Sequence, residues 1–126
     1  MSSVSVKDLL GCKFKSHGRN KEEGFDCYGL AIEVLKRAGI TLKDVFYGDI
    51  KKTEKSDIEH QIVCKKIDNP EEMCIIVIRV NHVPRHIGVY LGEGLFIHAT
   101  ENFGVTIERL NKYSSRIEGY YKVSDN

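Results

Sequence analysis

The chain has 126 residues, 41% of them hydrophobic and 29% charged, with 19 Lys+Arg against 18 Asp+Glu and a formal net charge of +1. That length and composition suit one globular domain with its own core, and they set aside fibrous, disordered and disulfide-scaffold classes. The even charge argues against a nucleic-acid binder, which carries a basic excess, and no apolar run approaches the ~20 residues of a membrane span.

Residues 1–8 lack a basic stretch followed by an apolar one, so no export signal is expected and synthesis in the cytoplasm follows. Residues 4–10 read as a short apolar lead-in with a helical turn, and residues 15–24 as a polar, glycine-bounded loop. Cys27, Leu30, Ala31, Val34, Leu35 and Ala38 then recur at helical spacing. Asp26 stands as N-cap, Lys36 and Arg37 fall in the last turn, and Gly39 suits the position after the C-cap. This predicts a helix over 27–38. Ile58, Ile62, Val63 and Ile67 predict a second, weaker helix over 54–67, which Asn69-Pro70 ends, and the charged stretch 51–59 reads as a solvated face.

Residues 73–80 form a β-branched run that reads as a buried strand, followed by a loop over 81–85 around Pro84. Residues 86–91 and 95–100 flank Gly92-Glu93-Gly94 and predict a hairpin. Two further strands are expected over 105–110 and 119–123. A helix-rich first half followed by a run of antiparallel strands is an α+β pattern. With only two prolines and no linker or repeat, residues 1–126 read as a single domain.

Cys27 falls at the first position of the strongest helix, where unpaired backbone N–H groups and the helix dipole favour thiolate over thiol. A buried, inert cysteine fits the same position. The hairpin adds to the argument. If its connection is the three residues 92–94, Leu91 faces Leu95, His98 opposes Gly88, and His86 opposes Thr100. Both histidines then share one face, within roughly 7–8 Å of each other, and Gly88 leaves space beside the rings. An even-numbered loop would put them on opposite faces. Ile87, Val89, Leu91 and Ile97 would line the other face, towards the core.

A thiol needs a base before it is a good nucleophile at neutral pH, and the base needs a polar group to orient it. Cys27 is therefore the candidate nucleophile, His86 the base and then acid, and His98 the orienting group. The Cys27 backbone N–H is a natural oxyanion donor. The same three residues could instead ligate zinc, with His60 or His82 as a fourth. No close histidine pair on a helix supports that, so no metal and no cofactor is expected. Cys12, Cys64 and Cys74 read as structural thiols, with Cys64 in a helix and Cys74 in a buried strand, and no C-x-x-C pair occurs.

These residues resemble a known family. Gly24-Phe25-Asp26-Cys27-Tyr28-Gly29-Leu30 is similar to the nucleophile motif of the NlpC-type papain-like cysteine peptidases. His86-Ile87-Gly88-Val89-Tyr90-Leu91-Gly92 and Phe96-Ile97-His98-Ala99 are similar to its two histidine strands. The likeness runs from about Gly11 to Val123. It implies a small papain-like α+β fold with the nucleophile helix packed on an antiparallel sheet, and Cys27, His86 and His98 as a Cys-His-His triad. It also implies hydrolysis of amide bonds in peptidoglycan stem peptides, typically D-glutamyl to a diamino acid. Gly18-Arg19, Tyr28 and the stretch from Val105 to Leu110 are similar to the phage-tail and prophage subgroup, which implies phage tail proteins as partners.

Two positions depart from the family pattern. Phe14 stands where a tyrosine hydroxyl is usual, with Ser16, Tyr28 or Tyr90 able to compensate, and Glu71-Glu72-Met73 replaces the usual Gly-Asp. Phe14, Ser16, Tyr28, Gly88 and Tyr90 are accordingly the candidate substrate-contacting residues. A structural role in a tail, or hydrolysis of other amides or acyl esters, are the competing readings.

Overall fold

A computed structural model describes residues 4–43, 64–80 and 83–123. The lead-in is the expected helical turn, a 3-10 segment at Lys7–Leu9 that buries Leu9. The expected loop over 15–24 is mostly turn, but a small antiparallel hairpin sits within it, β1 (Arg19–Asn20) and β2 (Gly24–Phe25). Two-residue strands have no periodicity to read.

The helix α1 (Cys27–Arg37) begins where its sequence puts it. Asp26 caps it, its side chain accepting from the Gly29 N–H at 2.6 Å. The expected apolar stripe is the buried face: Cys27, Leu30, Ala31, Val34 and Leu35. Ala38 is the C-cap rather than the last helical residue. Gly39 follows in the left-handed region at φ +81°. The Gly39 N–H bonds the Lys36 carbonyl at 3.0 Å and the Ile40 N–H bonds that of Leu35 at 2.9 Å, a complete Schellman stop. Arg37 in the last turn reaches back to Asp8 at 2.6 Å, tying the lead-in to the helix end.

Of the expected second helix, residues 54–63 lie outside the described residues. Residues 64–67 are not helical: β3 (Cys64–Ile67) is a strand, so Cys64 is a strand residue. A few apolar residues fit a helical and an extended period alike, and pairing with β8 decides between them. The remaining strands are β4 (Ile75–Val80), β5 (Val83–Gly92), β6 (Leu95–Thr100), β7 (Gly104–Arg109) and β8 (Ile117–Val123). The expected loop over 81–85 is shorter than its sequence suggests. Residues 81–82 lie outside the described residues, and β5 already runs from Val83, which pairs with Val80. Leu110 opens a 3-10 segment, Leu110–Arg116, rather than ending β7.

Among the described residues, the six strands form one antiparallel sheet in the order β3-β8-β4-β5-β6-β7. One helix against an antiparallel sheet is the α+β class expected. α1 lies across β5 and β6, and its buried face joins Ile75, Val77, Ile87, Val89, Ile97 and Ala99 in the larger core. The opposite face buries Cys74, Ile76, Ile78 and Phe96 beneath Leu110 of the 3-10 segment. No helix among the described residues is long and apolar enough to cross a membrane.

The β5–β6 hairpin differs from expectation in two ways that cancel. Gly92 pairs with Leu95, so the connection is two residues, not three. Glu93 and Gly94 both have positive φ, +55° and +81°, as a type I′ turn requires. An even loop alone would send the histidines to opposite faces. A bulge between Tyr90 and Gly92 inserts one residue, and beyond it Tyr90 pairs with Phe96 and Val89 with Ile97. Those are the pairs the odd loop predicts.

Candidate active site

Asp26 does more than cap α1. Its Oδ1 also accepts from Arg19 Nη1 at 2.9 Å, and its Oδ2 from the His17 backbone N–H at 3.1 Å. Arg19 Nη1 donates further to the Gly18 carbonyl at 2.9 Å. A buried carboxylate with a charged partner and two backbone donors is well satisfied. It holds the lead-in loop on the first turn of the helix. The loop lies so close that a Cβ on Gly29 would sit 2.0 Å from the Gly18 oxygen. His17, exposed, takes the left-handed region at φ +63° to make this approach. The result fixes Cys27 at the start of α1, 6% exposed. No disulfide joins the four cysteines.

The two histidines meet as the register predicts. His86 Nε2 lies 2.8 Å from His98 Nδ1, with ring centroids 5.0 Å apart. Both are buried, 6% and 1% exposed. They lie on the sheet face away from α1, where His98 packs between Phe96 and Tyr113 at centroid distances of 4.6 and 5.9 Å. The far nitrogen of His98 is not left over. Nε2 meets Glu108 Oε2 at 2.5 Å, and Glu108 is bound in turn by Tyr113 Oη at 3.0 Å and Lys112 Nζ at 2.9 Å. Burial pushes the His98 imidazole below the ordinary histidine range and outweighs the upward pull of Glu108. Partial burial pushes the Glu108 carboxyl up, but the hydrogen bonds from Lys112, His98 and Tyr113 prevail and bring it down to about 2. The contact at neutral pH is thus a neutral imidazole donating to a carboxylate, rather than an ion pair.

Glu108 did not emerge from the sequence as a site residue, although a signal was there. His98 pairs with Thr106 across β6–β7, so Glu108, two residues on, shares its face. Glu108 and Lys112 also stand four apart, a spacing common to ion pairs. The carboxylate borders an open basin of about 530 Å³, lined also by Phe103, Lys112 and Tyr113. Among the described residues, no group of three His, Cys, Asp or Glu side chains is arranged to hold a metal ion.

The expected substrate-contacting residues scatter. Phe14 bridges to Phe25 beside the entry to α1, and Ser16 Oγ lies 3.4 Å from His17 Nδ1 in the exposed loop. Tyr28 is buried, its hydroxyl donating to the Lys43 carbonyl, with the Arg19 guanidinium 5.8 Å from its ring centre. The Tyr90 hydroxyl accepts the Gly94 N–H at 2.9 Å, at the turn of the hairpin. Gly88 does not leave open space, because the Phe96 ring fills it. A Cβ there would lie 2.8 Å from Phe96 Cδ2, 3.0 Å from the Ile97 oxygen and 3.3 Å from His98 Cβ. Gly88→Ala is therefore expected to cost about 1–3 kcal/mol, the usual range for overpacking. A urea midpoint within error of the wild type would show that Phe96 gives way freely.

The sequence profile described as the NlpC/P60 family matches residues 11–120. A gamma-DL-glutamyl hydrolase of Bacillus subtilis (strain 168) is 29% identical over 86% of this chain and 25% of its own length. A murein DD-endopeptidase MepS/murein LD-carboxypeptidase of Escherichia coli (strain K12) is 26% identical over 83% of this chain and 51% of its own. The chain thus spans about a quarter and about half of these curated relatives. The solved structure of NlpC2 from Trichomonas vaginalis superposes with a TM-score of 0.68 at 24% identity, covering 94% of this chain and 44% of that one. The α+β arrangement is the papain-like fold expected. With the profile covering nearly the whole sequence and the fold in agreement, the chain belongs to the NlpC/P60 family.

Proposed function

We propose that the chain is a thiol-dependent amidohydrolase that cleaves peptidoglycan stem peptides, at a D-glutamyl bond to a diamino acid. The observation that carries the chemistry is a helix-capped cysteine on the helix that crosses the strands of a buried, hydrogen-bonded histidine pair. The named activities of the two curated relatives, on glutamyl and murein bonds, support the substrate class.

In this reading His86 takes the Cys27 proton and the thiolate attacks the scissile carbonyl carbon. The oxyanion forms against the backbone N–H of Cys27 at the helix N-terminus. The tetrahedral intermediate collapses to a thioester as His86 gives its proton to the departing amine. His86 then takes a proton from water, which attacks the thioester and releases the acid and the thiol. Proton transfer requires the His86 ring, beside the point where the β4–β5 ladder changes register between Ile78 and Val80, to reach the Cys27 thiol at the start of α1.

Purified sacculi, digested and followed by mass spectrometry, test the reading. The wild type is expected to release fragments cut at the D-glutamyl bond, and Cys27→Ala none. Iodoacetamide is expected to label Cys27 ahead of Cys12, Cys64 and Cys74. A folded wild type that releases nothing, or a Cys27→Ala protein that keeps cutting, would sink it.

A further inference from the structure

The geometry points to Glu108 as a positioning residue that sets the direction of the hydrogen-bond chain through His98 and His86, and so keeps Nδ1 of His86 unprotonated and basic. This rests on the reading in which His86 takes the Cys27 proton.

The direction follows from counting donors. An ionised carboxylate only accepts hydrogen bonds. Glu108 is kept ionised beside an open basin by Lys112 and Tyr113, and the guanidinium of Arg116 lies over the Tyr113 ring at 5.1 Å. The hydrogen in the 2.5 Å contact must therefore sit on His98 Nε2. A neutral imidazole carries one hydrogen, so His98 Nδ1 is a lone pair. The 2.8 Å contact then needs its hydrogen on His86 Nε2. A neutral His86 so fixed has its lone pair on Nδ1, the nitrogen left to face a thiol.

With the chain reversed, His86 would present Nδ1–H and could not accept a proton there. Reversal needs a donor at position 108, and the carboxylate is not one. When His86 becomes an imidazolium, its Nε2–H is already given to His98, so no second proton has to move. The charged and titratable groups around the chain are Glu108, Lys112, Tyr113 and Arg116 on the β7 and 3-10 side, and Cys27 is the thiol that the proposed function brings to His86.

Glu108→Gln keeps the shape but offers both a donor and an acceptor, so both directions become available. Nitrogen-15 NMR of the imidazoles at neutral pH tests this directly. In the wild type His98 is expected to be protonated on Nε2 and bare on Nδ1, with His86 protonated on Nε2. In Glu108→Gln a mixture of tautomers is expected. The rate of Cys27 alkylation should fall by ~10-fold or more and its pH profile should shift, because a base held in the wrong tautomer cannot take the proton. Glu108→Asp, which keeps the charge, should recover part of the rate.

A wild-type His98 carrying its proton on Nδ1 overturns the proposal, and needs no variant to fold. So does a Glu108→Gln protein with wild-type tautomers and alkylation profile. If instead wild-type Cys27 reacts no faster than Cys12, and His86→Ala leaves that rate unchanged, the thiol–imidazole reading fails. The tautomer of His98 still decides the role of Glu108.

Discussion

His86→Ala is expected to lower turnover on stem-peptide substrate by about 10³–10⁴-fold, the scale of losing a general base that also serves as acid. The proton of Cys27 then has no imidazole to go to, and the leaving amine has no donor. The same change strands a neighbour. His98 Nδ1, buried and bonded to His86 at 2.8 Å, loses its partner, which costs about 1–3 kcal/mol for an unsatisfied buried group. The two effects separate by measurement. Steady-state kinetics reads the first and urea unfolding the second. A variant that loses stability but keeps within tenfold of wild-type kcat would assign His86 to packing and remove it from the chemistry.

The second large effect is expected at Asp26. Asp26→Ala should destabilise the fold by about 2–4 kcal/mol. Loss of the cap accounts for about 1–2 kcal/mol of that. The rest comes from Arg19, a quarter exposed, whose guanidinium loses its carboxylate, and from the His17 N–H. Thiol reactivity should fall with stability, because that side chain ties the lead-in loop to the first turn of the helix. Asp26→Asn keeps an acceptor for the Gly29 N–H but loses the charge and sets an amide NH2 where Oδ2 accepted the His17 N–H, so it should retain only part of the difference. A urea midpoint for Asp26→Ala that corresponds to less than ~0.5 kcal/mol, the scatter of a neutral surface change, would show that Gly18 and Gly29 hold the seam by packing alone.

Where one period fitted the residues and local chemistry agreed with it, structure was legible in the sequence. α1 is the clear case: the apolar stripe from Cys27 to Leu35, Asp26 before it and Gly39 after it all point to one helix, and all three are found in those roles. The meeting of His86 and His98 was legible too, because side chains in paired strands follow a rule of two. Cys64–Ile67 was misread because four residues cannot separate a helical from an extended period, and the partner that settles it, β8, is over fifty residues away in the sequence. Glu108 went unread for a different reason. Its role depends on a second strand pairing and on a 3-10 segment, Leu110–Arg116, that carries Tyr113 back over the rings. Nothing periodic in Leu110-Asn111-Lys112-Tyr113-Ser114-Ser115-Arg116 announces that return. Gly88 does lie beside His98, with a Cβ there 3.3 Å from His98 Cβ, but the size of the neighbouring Phe96 ring could not be placed from register alone.

The bulge beside Leu91 makes the hairpin a parity device. The two-residue turn is the form that fits strand twist best, and taken alone it gives the wrong parity for the histidines. One extra residue in β5 corrects it. What the histidines depend on is therefore the set of pairs beyond the bulge, not the length of the hairpin. Adding two residues to the turn leaves His86 and His98 on one face. Deleting Leu91 removes the bulge itself and makes Gly92–Leu95 and Tyr90–Phe96 consecutive pairs, so both histidines again keep their face. Keeping all residues and the two-residue turn but losing the bulge slides β5 by one position along β6 and turns one histidine over. Evolution and protein engineering can thus change the hairpin near its tip freely, as long as Tyr90 still meets Phe96.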